Sequence, residues 1–273
     1  MIMAKTNDPA PEEQNDARVS AVITKDELNK LPIRSYDGPI RLINDRDQVD
    51  HCVKILARES ILGFDTETRP SFERGVSYPP ALLQLATSSE VFVFQFQALG
   101  GLGALREILE NPAIIKAGVA LSDDIKQLND CWKFTPRNFI EIGHLAKAFD
   151  LKQTGLRTLA GLLLGFRISK KEQRSNWAKA NLSRSQIVYA ATDAWVSREL
   201  YLHLMKQWGD RVPPAQVDPL TPAPNQPGER AGNKSSSRRG ARKRGKNETA
   251  LAHMPELPGM SLPGPASAQP STL

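Results

Sequence analysis

Apolar residues in this chain come in short runs separated by polar, Gly- and Pro-containing turns, and these runs alternate with stretches of helical period. Ile40 to Asn44 reads as a strand, and Asp45 to Ala57 as a helix that Asp45 can cap. Ser60 to Phe64 is an apolar run that opens into Asp65-Thr66-Glu67. Leu82 to Ala86 and Val91 to Phe96 flank Thr87-Ser-Ser-Glu90, the pattern of a hairpin. Leu99 to Leu109 predicts a helix, Ala113 to Leu121 a buried strand, and Ser122 a cap for a helix through Trp132. Asn138 to Ile142 follows as a short strand, then helices over Leu156–Leu164 and Ser183–Trp208. A hairpin followed by strands alternating with helices predicts an α/β fold with a mixed central sheet flanked by helices, in a single domain.

Composition sets the limits of that domain. The 273 residues, 40% apolar, suffice for one core of about 150–200 residues plus tails. The expected division is an N-terminal extension over 1–38, partly disordered, a domain over 39–210, and a disordered Pro-rich basic tail over 211–273. From Val212 onward lie 11 of the 20 prolines and almost no aromatic residue, too little apolar surface to offset the entropy of ordering. The net charge of +6 is uneven: from Arg211 onward nine Lys/Arg face four Asp/Glu, whereas the first 210 residues balance 27 against 26. The run Arg238–Lys246 therefore reads either as a salt-sensitive nucleic-acid contact or as a solvated tail.

No stretch of about 18 apolar residues is present, which argues against a membrane span, and Met1 to Arg18 lacks the apolar core of a secretory signal. Cys52 and Cys131 form no CxxC pair, so a reducing, cytoplasmic setting is the simplest expectation. The histidines, His51, His144, His203 and His253, fall at no metal-ligand spacing, so a metal site here would be built from carboxylates. Gly100-Gly-Leu-Gly103 lacks the Lys-Ser/Thr of a phosphate loop and reads as a turn at a helix start.

Four acids carry the candidate chemistry. Asp65 and Glu67 are two apart at the end of an apolar run, so on a strand they share one face and can point into one cleft beyond its C-terminal end. Asp124 follows a buried strand at a helix start, with Asp123 as a competing choice; by itself either reads as helix N-terminal charge. Asp193 lies four residues after Tyr189, on the same helical face. Singly, each is unremarkable surface chemistry. Together they can supply oxygen ligands from three elements to a pair of hard cations such as Mg²⁺, with the tyrosine hydroxyl orienting a nucleophilic water.

The segments Phe64-Asp-Thr-Glu67, Lys116-Ala-Gly-Val-Ala-Leu-Ser-Asp-Asp124 and Tyr189-Ala-Ala-Thr-Asp193 resemble the three motifs of the DEDD exonuclease superfamily, in its DEDDy branch. The histidine branch would place its histidine at position 188, which is valine here. Asn138-Phe-Ile-Glu-Ile142, Ser175-Asn-Trp-Ala-Lys179 and Leu182 to Ala194 resemble the exonuclease domain of the Werner syndrome protein, with ribonuclease D more distant. The likeness covers about residues 40–205.

The resemblance implies a ribonuclease H-like fold and a metal-dependent 3′–5′ exonuclease. Its partner would be DNA or RNA with a free 3′ end, its setting DNA repair or RNA processing. It implies two Mg²⁺ or Mn²⁺ ions: Asp65 shared by both, Glu67 and Asp193 completing the first site, and Asp124, in register after Ala-Gly-Val, serving the second. Tyr189 would hold the attacking water. After Glu67 the chain reads Thr68-Arg69-Pro70, where the Werner domain has an aromatic residue. Thr66, Arg174, Asn176, Trp177 and Lys179 are candidate substrate contacts, although Trp177 reads more readily as a core or loop-anchoring residue. The competing expectation is a nuclease-like nucleic-acid-binding module that has lost catalysis.

Overall fold

The computed structural model describes residues 22–73 and 75–209. The tail expected over 211–273, with the Arg238–Lys246 run, and the first 21 residues of the N-terminal extension lie outside the described residues. Among the described residues six strands form one sheet: β1 (Ile40–Ile43), β2 (Ile61–Thr68), β3 (Pro80–Ala86), β4 (Val91–Gln95), β5 (Ile115–Gly118) and β6 (Phe139–Glu141), in the order β1-β4-β3-β2-β5-β6. β2 pairs antiparallel with β3 and parallel with β5, which makes the sheet mixed and puts β2 in its middle. The hairpin turn at Thr87–Glu90 is closed by the Thr87 N–H, which donates to the Glu90 carbonyl at 2.9 Å.

Eight α-helices accompany the described strands: α1 (Lys25–Lys30), α2 (Val49–Leu56), α3 (Phe96–Leu99), α4 (Leu105–Leu109), α5 (Leu121–Cys131), α6 (Ile142–Ala148), α7 (Leu156–Leu159) and α8 (Arg184–Trp208). One face of β2 sends Leu62 and Phe64 into a core shared with α2, α4 and α5. The other face packs against α8, whose Ala190, Ala191 and Ala194 are small enough to lie close on the sheet. α8 starts at Ser183, which caps it in a reciprocal box with Gln186.

Several expectations need correction. The helix expected over Leu99–Leu109 is two short helices, because Gly100, Gly101 and Gly103 adopt φ of 70°, 151° and 51° and break the turn. The strand expected over Ala113–Leu121 ends at Gly118; Ala120 takes φ 62° and Leu121 already belongs to α5. Asp45 caps a 3₁₀ turn ahead of α2. The α7 segment continues as a π-helical turn over Ala160–Leu164. Within the extension over 1–38, expected to be partly disordered and not contradicted in that, the described residues form α1, started by a Thr24–Glu27 capping box, and Ile33 bridges to Arg167. No helix among the described residues is long and apolar enough to cross a membrane.

The approach of α8 to β2 depends on Gly63. A Cβ there would sit 2.0 Å from the Ala194 carbonyl oxygen and 2.9 Å from the Arg198 Cβ. Backbone cannot rotate away as a side chain can, so even one methyl must lift the helix. Gly63→Ala is expected to destabilise the domain by about 3 kcal/mol, read as a lowered midpoint in thermal denaturation. An unchanged midpoint would show that α8 does not rest on this residue.

Candidate active site

Because strand side chains alternate, Gly63, Asp65 and Glu67 all face α8. Asp65 and Glu67 lie inside β2 rather than beyond its end, since pairing with β3 continues to Thr68 opposite Pro80. The helix resting on Gly63 brings Asp193 down beside them. Carboxylate oxygens of Asp65, Glu67 and Asp193 all fall within 4.8 Å of one another. Asp193 is buried, while Asp65 and Glu67 are partly open to solvent. Tyr189, one turn earlier on α8, packs its ring against fully buried Trp177 at 5.8 Å.

Asp124 comes from α5. Its carboxylate accepts from the hydroxyl of buried Thr66, the residue between the two β2 acids. Asp123, its neighbour, is exposed. Ser122 does not cap this helix; Glu141, at the end of β6, does. Its buried carboxylate accepts from the N–H groups of Ala120 (2.9 Å), Leu121 (2.7 Å) and Gly143 (3.0 Å). A carboxylate twenty residues away thus fixes the left-handed turn that aims Asp124 at β2, a link with no local sequence signal.

The electrostatics follow from burial of like charges. Asp65 is pushed well above the usual carboxylate range, by burial first and then by Asp193, Glu67 and Asp124. Burial, Asp193 and Asp124 do the same to Glu67. Burial raises Asp193 to about 7, against a weaker opposing hydrogen bond from Tyr189, and Asp124 to about 6. Burial and the neighbouring acids raise the Tyr189 phenol far above its ordinary value. No ion pair among the described residues involves any of the four acids. Among the described residues the buried Asp193 Oδ1 has no hydrogen-bond partner, nor has the buried amide of Gln84, which lies opposite Asp65 across β2–β3. Clustered, unneutralised hard oxygen donors fit divalent cations such as Mg²⁺ or Mn²⁺.

The expected substrate contacts scatter. Thr66 commits its hydroxyl to Asp124. Trp177 is core, supporting Tyr189. Arg174, Asn176 and Lys179 are exposed on the segment before α8, which is anchored by Gln186 Nε2 donating to the Asn176 carbonyl at 3.2 Å and Gln95 Nε2 donating to the Lys179 carbonyl at 2.7 Å. A cavity of about 220 Å³ opens beside Tyr189 and Asp193, walled by Arg34, Ser35, Ser169 and Lys171. Sequence reasoning missed Glu141, Gln84 and this N-terminal wall.

Residues 40–208 match a family described as 3′–5′ exonuclease. The chain belongs to the 3′–5′ exonuclease family. This exonuclease domain is 27% identical over 220 residues to the exonuclease mut-7 homolog of Homo sapiens, covering 70% of this chain and 25% of that protein. It is 32% identical over 175 residues to ribonuclease D of Acidiphilium cryptum, covering 62% of this chain and 43% of the relative. The chain thus spans less than half the length of these relatives. Among solved structures, the Aedes aegypti Nibbler EXO domain superposes with a TM-score of 0.58 at 24% identity, covering 66% of this chain and 93% of that one. Escherichia coli RNase D gives 0.55 at 22% identity, covering 62% and 46%. The fold is that of the ribonuclease H-like exonucleases.

Proposed function

We propose that this domain hydrolyses DNA or RNA from a free 3′ end, one nucleotide at a time, and releases nucleoside 5′-monophosphates. The observation that carries the reading is the convergence of Asp65, Glu67 and Asp193 from a strand and a helix distant in sequence, with Asp124 hydrogen-bonded to the residue between the first two. Asp65, Glu67 and Asp193 would hold one divalent ion, and Asp124 with Asp65 a second. Such ions, when bound, acidify water and stabilise the oxygen leaving phosphorus.

The chain's own residues supply the rest. The α8–β2 contact fixes the three carboxylates, and Glu141 and Thr66 fix the fourth. Tyr189 keeps its proton at working pH, since burial and the acids Asp193, Glu67 and Asp65 disfavour the phenolate. It therefore positions the attacking water through a hydrogen bond and does not act as a base. Tyr189→Phe keeps the ring on Trp177 and is expected to lower kcat about a hundredfold with KM little changed, as measured by steady-state kinetics. A loss confined to KM would remove the water-positioning role.

The test of the reading is direct. A 5′-labelled oligonucleotide with a free 3′ hydroxyl, incubated with Mn²⁺, is expected to shorten stepwise and release nucleoside 5′-monophosphates, and EDTA is expected to stop it. Retardation in a native gel without any shortening would favour the catalytically inactive binding module. The presence of all four acids and the tyrosine argues for activity.

A further inference from the structure

The carboxylate cluster has a buried neighbour whose chemistry is unspent. Gln84, on β3, is fully enclosed, yet neither its amide nitrogen nor its amide oxygen has a hydrogen-bond partner among the described residues. An unpaired buried amide is destabilising, so its presence in a folded domain calls for a physical reason. Strand pairing sets Gln84 directly opposite Asp65 on β2 and opposite Val93 on β4. Residues opposite one another project from the same face, with Cβ atoms about 5 Å apart. Leu82 and Ala86 share that face on β3, and α8 covers it with Ala190 and Ala194. The polar neighbours that the register supplies are Asp65, and, a longer diagonal step away, Glu67 on β2 and Gln95 on β4.

The same side of the sheet holds two further unmatched groups. Gln95 donates its amide nitrogen to the carbonyls of Lys179 and Ala180, at 2.7 and 3.0 Å, and its buried Oε1 has no partner among the described residues. Nor has the indole Nε1 of buried Trp177, whose ring supports Tyr189. These groups complement one another in kind. The indole only donates, Gln95 Oε1 only accepts, and the Gln84 amide offers one oxygen and a pair of N–H groups. With the indole on Gln84 Oε1 and one amide N–H on Gln95 Oε1, a single N–H remains, on the side of Asp65. The last torsion of a glutamine is broad, so turning the amide costs little.

We infer that Gln84 is a positioning residue for Asp65. Its amide N–H fixes the direction of the Asp65 carboxylate, while Trp177 and Gln95 fix the amide in turn. A ligating carboxylate held by such a bond presents its oxygens to a cation in one orientation, and removal of the support weakens metal binding about 10–100-fold. The inference rests on the carboxylate site proposed above, and its test separates the two.

Gln84→Met keeps the length of the side chain and removes both amide atoms. Gln84→Leu, which is smaller, guards against overcrowding. Mn²⁺ is titrated into the full chain without nucleic acid, with free Mn²⁺ read by electron paramagnetic resonance, and circular dichroism shows which variants are folded. The Kd for Mn²⁺ is expected to weaken about tenfold or more in both variants. The melting temperature of Gln84→Met in EDTA is expected not to fall, because the amide it removes contributes no bond to the core. With saturating Mn²⁺ and an oligonucleotide, kcat is expected to drop about tenfold with KM unchanged.

Equal Mn²⁺ affinity in the wild type and either folded variant overturns the role of Gln84. So does a lowered melting temperature of Gln84→Met in EDTA, or failure of both variants to fold, either of which would assign the amide to the core. A wild type that binds no Mn²⁺ overturns the carboxylate site and this inference with it. Equal binding by wild type and variants removes Gln84 alone and leaves the site standing.

Discussion

Asp65→Asn is expected to abolish exonuclease activity, lowering kcat by at least about a thousandfold, while making the metal-free protein more stable above neutral pH. Of the four acids, Asp65 alone feels each of the other three. It sits at the centre of the charge cluster, so replacing it removes the ligand that both proposed ions share. Loss of about 4 kcal/mol of transition-state stabilisation gives that factor. The asparagine has nearly the same volume and removes one buried negative charge from a site where the charges repel. Its folded state therefore gains relative to the wild type when no metal is present. Activity assays and thermal melts in EDTA at pH 8 measure the two effects on one sample. Retained activity would dismiss the proposed metal site, and a lowered melting temperature would dismiss the account of its electrostatics.

The second large effect is a metal-dependent stability that grows with pH. Burial raises Asp193 to about 7 and Asp124 to about 6, from an ordinary 3.8, and lifts Asp65 and Glu67 as well. A carboxyl whose folded pKa is raised holds its proton longer in the folded state. Its contribution is fully present below pH 3.8 and is lost as pH climbs through 6 to 7, so metal-free stability falls across that window. Divalent ions compete with those protons. At pH 8 there are few protons to displace, and Mn²⁺ at a hundredfold excess over its Kd adds about 2.7 kcal/mol, or about 5–10 °C in Tm for a domain of this size. At pH 5 the gain should be small. A Tm indifferent to Mn²⁺ and Mg²⁺ at pH 8 would exclude the cluster as a metal site.

What could be read from the chain depended on how locally each feature is determined. The strand before Asp65, the Thr87–Glu90 hairpin and the helix from Ser183 were legible because period and capping residues are contiguous. The Tyr189–Asp193 spacing was legible because one helical turn fixes it. Helix α1 had a readable Thr24–Glu27 capping box, but six residues with a single buried leucine leave almost no periodicity to detect. The break after Leu99 depended on three glycines taking positive φ together. Glu141 and Gln84 were not legible at all. The first acts on a turn twenty residues earlier, and the second matters only because strand pairing sets it opposite Asp65. Trp177 was readable as either core or contact, and packing against Tyr189 places it in the core.

The segment ahead of β1 has a practical bearing on how such domains are cut out for study. The family match begins at residue 40, and a fragment trimmed there would retain every carboxylate and the tyrosine. It would lose the Tyr36 N–H that donates to the Thr192 hydroxyl at 2.9 Å, beside Asp193, and the Pro32–Arg34 backbone that bonds to Arg167. It would also lose Arg34 and Ser35 from the cavity next to Tyr189. Homology boundaries and the working unit therefore differ here, and a weak trimmed fragment would report a missing wall rather than a deficient catalyst.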